Sequence, residues 1–588
     1  MKNANRVLIF VLIFALIVSM FSGCKQTAPS PEQTTTEQKT TEQKTTEQKT
    51  TEQKTTEQKT TTAAEPGREK LSAADGTEYY AAGYPIVDPE QNISYSVMAS
   101  TSASDATKFP VMQKIVSETG INFDWILIAS DARQERLSAA VAADDLPDIL
   151  GPSVGFGDAE LLKYGNEGYI ADISDLWNNK MTTIRSMTGD EVFNQLTNEI
   201  TFPNGAIYNF PTIMDYDTVS EFHLAINVEW LDKLGLQMPT TPDEFVEVLK
   251  TFVTNDPNSN GKNDEIGYVS QAWAGIANLY EITGFTGVLT GTRYIQDGEV
   301  KWPLFSDEVK EATKWLKMLY DENLLDKEQF TQDDPTAMAK AQSPDSIYGA
   351  ANMFQEKYYF GNNCLEYFPM EAFAGADGKR MWPTNHPHGY LVMNQMTLTT
   401  KCTSPEIVAR LVDYMYLPLI SAEIDQGPIG ITQEFNENGY LISVTPEGYE
   451  NVTAYTRENH FQQLPRFLFS KYLNEKTFQR FLEVPTSIPE SKRMIDGLDG
   501  RTYANIMAED YLYYYPRLKP TEEEAAVLNE YMTDLSKYYQ ESLAKFITGA
   551  SDIDTEWDTY VETVKAFGYE EIMTMYNAQY QRFLSLGN

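Results

Sequence analysis

Residues 92–150 alternate between two hydrophobic periods. Asn92–Ser100 (NISYSVMAS) sets apolar side chains at every second position and reads as a strand. Lys108–Thr119 follows with helical spacing and stops at Gly120, the residue type that closes a helix in the left-handed conformation. Ile121–Ile128 (INFDWILI) is the next strand, Ala132–Ala143 the next helix, and Pro147–Leu150 (PDIL) a short buried strand running into Gly151. Strands alternating with helices predict a parallel sheet with right-handed crossovers. Ligands of such sheets sit at the carboxyl ends of the strands. That rule nominates the turn residues Ser100, Thr101, Ser102 and Ser153.

A second set of elements starts at Phe222 with the strand FHLAIN, followed by a helix from Trp230 to Gly235. Thr241-Pro242-Asp243-Glu244 has the form of a capping box with proline in the first turn. Phe245, Val248, Leu249 and Phe252 then recur at i, i+3, i+4 and i+7, the stripe of a core-facing helix. Further helices open at Ser306 and at Ser404, and the chain beyond about 455 is mostly helical and rich in tyrosine. Trp177, Trp230, Trp315 and Trp557 fall in helical patterns and read as packing residues.

The N-terminal pattern is different in kind. Lys2 and Arg6 precede an apolar run from Val7 to Phe21, shorter than the ~20 residues a helix needs to span a bilayer. It reads as a signal peptide over residues 1–23. Phe21-Ser22-Gly23-Cys24 resembles the lipobox of bacterial lipoproteins, with Phe21 where that pattern usually has Leu. This implies lipidation of Cys24 and an anchor in the bilayer at the extracellular face of the membrane. From Thr35 to Lys59 the pentamer TTEQK repeats five times with no apolar face, so residues 24–78 are assigned as a tether.

At 588 residues the chain exceeds the ~250–300 at which one core stops growing. Its net charge of −39 excludes a nucleic-acid partner, which would demand clustered Lys and Arg. Besides Cys24 there are only Cys364 and Cys402, and two separate buried thiols are preferred over a pair.

These segments carry a family likeness. NVEWLDKLGLQMPTTPDEFVEVLKTF (227–252), DDLPDILGPS (144–153), GYIADISDLW (168–177), NGAIYNFP (204–211) and SPEIVARLVDYMY (404–416) occur in the order found in family 1 extracellular solute-binding proteins. The large lipoprotein branch, with its alginate-oligosaccharide-binding members, is the most similar, and the maltose-binding type is more distant. The resemblance implies an α/β fold of periplasmic-binding-protein type II, two lobes joined by a hinge with the ligand between them. It implies a monomer that delivers an oligosaccharide to the permease subunits of an ABC importer. The expected lobes are 90–218 with 390–445, and 219–389 with 446–588. Crossings are placed near 215–222 and 385–392, with a return near 435–455.

DPNSNGKNDE (256–265) has the first half of an EF-hand-like loop: Asp256, Asn258 and Asn260 at positions 1, 3 and 5, Gly261 at the turn, and the Lys262 carbonyl at position 7. Position 12 is Gly267 where such loops carry Glu, and Asp264 and Glu265 stand in. Oxygen donors without His or Cys favour Ca²⁺. The alginate-binding relatives have a loop of this spacing. The competing reading is a metal-free Asx turn. Because the loop joins a core helix to a strand, the ion would be structural.

Sugar sites pair stacked aromatics with orienting polar groups. Trp273, following the strand Ile266–Ser270, is the first candidate, as the maltose-binding relatives place a stacking aromatic there. Tyr216, Asn352, Phe354 and Trp382 lie near expected crossings or strand ends. His386 and His388 have no third ligand nearby and read as a loop. No nucleophile elbow, P-loop or HExxH is present, and no carboxylate pair can be singled out for glycoside hydrolysis. A binding protein for a peptide or other small polar ligand, and a cell-surface polysaccharide-acting enzyme, are the alternatives.

Overall fold

The computed structural model describes residues 67–586 apart from 101–104, 130–131, 152–153, 155, 216–221, 272–274, 355–358, 385–389, 436–440, 450–454, 456–458, 460–471, 475–509 and 517. The first lobe is built on a six-stranded sheet. Its order is Tyr472–Asn474, Phe210–Asp215, Tyr390–Leu398, Ile149–Leu150, Ser94–Ser100 and Asn122–Ile128. Ser94–Ser100 pairs in parallel with both Asn122–Ile128 and Ile149–Leu150, as the alternating pattern predicts. The sheet as a whole is mixed, which corrects the expectation of a parallel one. Tyr390–Leu398 runs antiparallel to both its neighbours. The reason is topological: Phe210–Asp215 leads out toward the second lobe and Tyr390–Leu398 brings the chain back, so side by side they must oppose.

The second lobe holds a four-stranded sheet in the order Tyr367–Pro369, His223–Asn227, Tyr348–Met353, Ile266–Ser270, with only the last pair parallel. A further sheet, Glu299–Lys301, Tyr294–Gln296, Asp510–Tyr514 and Met381–Thr384, draws on both ends of the lobe's sequence. The capping box forms as read. Thr241 Oγ1 accepts from the Glu244 N–H at 3.2 Å, and Glu244 Oε2 accepts from the Thr241 N–H at 3.2 Å. Phe245, Leu249 and Phe252 behind it are fully buried. The helices Glu522–Thr548, Ile553–Ala566 and Tyr569–Leu586 add Leu535, Phe546, Trp557, Tyr560 and Ile572 to that same core. Trp177, Trp230 and Trp557 are buried and Trp315 packs at the margin of the core, all as structural residues.

Two boundaries differ from the sequence reading. Lys70–Ser72 and Glu78–Tyr80 pair as a hairpin whose Ala73 and Tyr79 enter the first-lobe core, so folded structure begins inside the segment assigned as tether. Tyr472–Asn474 still pairs with Phe210–Asp215 of the first lobe, whereas Asp510–Tyr514 pairs with Met381–Thr384 of the second. Pairing with the first-lobe sheet thus persists at Tyr472–Asn474, beyond the return expected near 435–455. Strand pairing, a non-local property, sets that boundary. Cys364 and Cys402 are buried as thiols in different cores and form no disulfide. Burial pushes the Cys402 thiol up to about 12, so it is an inert packing residue. Among the described residues no helix is long and apolar enough to cross a membrane.

Candidate functional site

The parallel strands of the second lobe end side by side, with Ser270 in register with Asn352. Beneath these ends lies a buried polar layer. Asn352 is wholly buried, and its Nδ2 donates to the Asn278 carbonyl at 2.8 Å and to Glu281 Oε2 at 2.9 Å. Asn278 Nδ2 donates to the same Glu281 oxygen at 3.0 Å, and the Tyr514 hydroxyl donates to Glu281 Oε1 at 3.3 Å. A buried carboxylate is tolerated only where such donors replace water. The layer continues through Gln329, which brackets the Ser270 backbone with two bonds of 2.8 Å, and Gln271, whose Oε1 accepts from the Phe354 N–H at 2.9 Å.

Two polar atoms in this layer, Asn352 Oδ1 and Gln271 Nε2, are buried with no hydrogen-bond partner. One is an acceptor and the other a donor, and leaving each unmet costs about 1–3 kcal/mol. A ligand hydroxyl or an ordered water offers both functions at once. The layer can therefore fix the orientation of a polar ligand at the strand ends. It contains no arrangement of nucleophile, base and oxyanion donors.

The sequence-nominated residues divide into groups. Asn352 and Phe354 are in the layer or at its edge; Phe354 stands edge-on to Phe222 at 6.3 Å. Trp382 is not at an open face. It is 3% exposed in the second-lobe core, and its indole N–H donates to the Phe222 carbonyl at 3.0 Å, which removes it from the stacking candidates. Thr101, Ser102, Ser153, Tyr216 and Trp273 lie outside the described residues, as do His386, His388 and Cys24. Sequence reasoning missed Gln271, Asn278, Glu281 and Tyr514. The available sign was Asn278 and Glu281 three apart in the otherwise apolar turn GIANLYE, too short a pattern to stand out.

The loop 256–265 forms a second candidate site. Asp256 Oδ1 and Asn258 Oδ1 both accept from the Asn260 N–H at 3.0 Å, Asp256 Oδ2 accepts from the Gly261 N–H at 2.9 Å, and Asn260 Oδ1 accepts from the Lys262 N–H at 2.8 Å. Gly261 takes φ +74°, the left-handed turn that a residue without Cβ adopts without strain. Asn260 Nδ2 donates to Asp264 at 3.1 and 3.3 Å. Both Glu265 carboxylate oxygens are buried with no hydrogen-bond partner. Burial holds the Glu265 carboxyl above the usual range, and the charges of Asp264 and Asp256 push it further the same way. Lys262 offers its ammonium on the outside, 3.5 Å from Asp345. Among the described residues no three His, Cys, Asp or Glu side chains gather as a ligand cluster. A cation here would need the amide oxygens of Asn258 and Asn260 and the Lys262 carbonyl beside the three acids. Orphaned carboxylate oxygens and an all-oxygen donor set fit a hard cation of the Ca²⁺ type.

Over residues 103–418, more than half of the chain, the sequence matches the family described as bacterial extracellular solute-binding protein. It is 24% identical over 535 residues to the fructooligosaccharide ABC transporter substrate-binding protein FusA of Streptococcus pneumoniae serotype 4, covering 87% of this chain and 94% of that protein. The fold is similar to that of FusA in complex with kestose, with a TM-score of 0.67 and 23% identity over 84% of this chain and 99% of that one. FusA is also solved as an EF-hand mutant in complex with fructo-nystose, at a TM-score of 0.68, 23% identity and the same coverage. An HMO-binding solute-binding protein from Bifidobacterium longum infantis gives 0.67 at 20% identity, over 83% of this chain and 98% of that one. The alginate-binding protein AlgQ2, solved without calcium ion, gives 0.64 at 18% identity and the same coverage. The fold of this chain is the α/β, type II periplasmic-binding-protein fold of these neighbours. The chain belongs to the bacterial extracellular solute-binding protein family, whose members bind their solutes rather than transform them.

Proposed function

We propose that this chain captures an oligosaccharide between its two lobes and delivers it to an ABC importer, held outside the cell membrane by a lipid on Cys24. The observation that carries the reading is the relationship to FusA, a fructooligosaccharide-binding importer component matched over 94% of its length. The buried layer under the second-lobe strand ends supports it. Asn352 Oδ1 and Gln271 Nε2 supply the acceptor and donor that a sugar hydroxyl satisfies. Trp273 is assigned the apolar face of a sugar ring, with Tyr216, Phe354, Thr101, Ser102 and Ser153 around the same ligand.

The loop 256–265 is assigned a structural Ca²⁺, held by Asp256, Asn258, Asn260, the Lys262 carbonyl, Asp264 and Glu265. When bound, the ion would offset the charges of Asp256, Asp264 and Glu265. The chain's own part is to hold its oxygens inward through the Asx bonds at 260–262, clamping the turn between the helix Pro242–Thr254 and the strand Ile266–Ser270. Calorimetric titration with kestose, nystose and alginate oligomers tests the main reading. Stoichiometric binding of one class without turnover is expected. Turnover of the sugar, or binding of peptides but none of these sugars, would refute it.

A further inference from the structure

The helix Glu522–Thr548 belongs to the second-lobe core, yet the turn that opens it touches the first lobe. Lys519 Nζ donates to Asp158 Oδ1 at 2.8 Å. Asp158 is the first residue of the helix Asp158–Asn166, which packs in the first lobe through Leu161 and Leu162. At the other end of that helix, Asn166 Nδ2 donates to Glu522 Oε1 at 2.6 Å. The Lys519 ammonium also lies 5.3 Å from the centroid of the first-lobe Phe202 ring.

The lysine is presented rigidly. Its carbonyl accepts from Arg582 Nη2 at 3.0 Å, Arg582 grips Glu524 with two bonds, and Glu524 closes a capping box with Thr521. Its side chain is 6% exposed and that of Asp158 26%. The Lys519 ammonium has given up most of its hydration, and a buried cation persists only in a geometry that pairs it. The partners lie on different lobes, Asp158 and Asn166 on a first-lobe helix and Lys519 and Glu522 at the head of a second-lobe helix. Rotation of one lobe against the other would part Lys519 from Asp158 and Glu522 from Asn166, returning the buried Lys519 ammonium to water. The contact thus exists in one lobe arrangement and is lost in another, which is what biases a two-state equilibrium.

We propose that Lys519–Asp158, seconded by Glu522–Asn166, is a latch that holds the two lobes in the arrangement described. This goes beyond the assignment of a sugar ligand, and its test needs no sugar, so the two can fail separately. Spin labels on Lys108→Cys in the first lobe and Glu247→Cys in the second, both exposed, report the inter-lobe distance. Cys24→Ser in the full chain leaves these as the accessible thiols. Lys519→Met is expected to shift the distance distribution to longer separations, Asp158→Asn to do the same, and the double variant to add little to either. Melting curves confirm that each variant is folded. Should Lys519→Met fail to fold, Asp158→Asn decides alone. A distance distribution unchanged in the folded variants overturns the latch.

Discussion

Trp382 and Trp273 carry opposite expectations. Trp382 is sealed in the second-lobe core with its N–H satisfied. Trp382→Ala should therefore cost about 3–5 kcal/mol of stability and leave the affinity of folded molecules unchanged. Trp273→Ala, at the proposed stacking residue, should weaken sugar binding by about 1–3 kcal/mol with little change in the melting temperature without ligand. Calorimetry beside melting curves separates them; loss of stability with intact affinity in Trp273→Ala would refute its assignment. Glu199 carries a pH expectation. Burial raises its carboxyl from the ordinary 4.5 to about 7, with the Lys519 cation pulling back. The folded state then holds the proton more tightly than the unfolded chain. The stability this contributes is full below 4.5 and is lost as pH rises through 7. Glu199→Gln should remain protonated-like throughout, so its melting temperature should exceed that of the wild type increasingly toward neutral pH. A constant difference across that range would argue against a buried titrating carboxyl.

At the scale of the element, the loop 256–265 and the strand after it explain one another. Gly267 occupies the place where an EF-hand loop carries its last glutamate, and the structure shows why no side chain sits there. A Cβ on Gly267 would lie 2.6 Å from the Leu324 carbonyl oxygen and 3.3 Å from Leu249 Cβ. The strand must pass that close because the Tyr268 N–H donates to the same carbonyl at 2.7 Å. Gly267→Ala should cost about 1–3 kcal/mol through overpacking, read as a lowered urea midpoint. With the twelfth position closed, the proposed Ca²⁺ would have to draw its further carboxylates from Asp264 and Glu265. Chelator should lower the melting temperature of the wild type and Ca²⁺ restore it, whereas Asp256→Ala should melt low in either condition. A melting curve indifferent to chelator would leave the loop as a metal-free Asx turn.

Across the whole molecule, the proposed sugar binding should be linked to lobe arrangement. A sugar that contacts both lobes favours the arrangement in which they are close, and it stabilises the native state by mass action. Saturating kestose is expected to raise the melting temperature and to leave Lys519→Met with the same inter-lobe distance as the wild type. The ligand's contacts would then replace the latch. A persistent difference at saturation would mean that the substitution changes the lobe interface itself.

Local patterns read well because their causes are local. The strand Ser94–Ser100, the helix closed by Gly120, the capping box at Thr241 and the stripe Phe245 to Phe252 each follow from backbone geometry within a few residues. The ordered segments from 144 to 416 likewise pointed to the family. The rest required distant parts of the chain to meet. Whether Trp382 is core or cleft depends on Phe222, 160 residues away. The buried polar layer under the second-lobe strand ends joins Ser270, Glu281, Asn352 and Tyr514, which no periodicity connects. The first-lobe pairing of Tyr472–Asn474, the mixed sheet and the Lys519–Asp158 contact are likewise matters of strand pairing and lobe packing. Sequence determines what a segment can be through its own periodicity and caps; only tertiary structure decides which polar groups are buried together, because burial is a property of the partners that close over them.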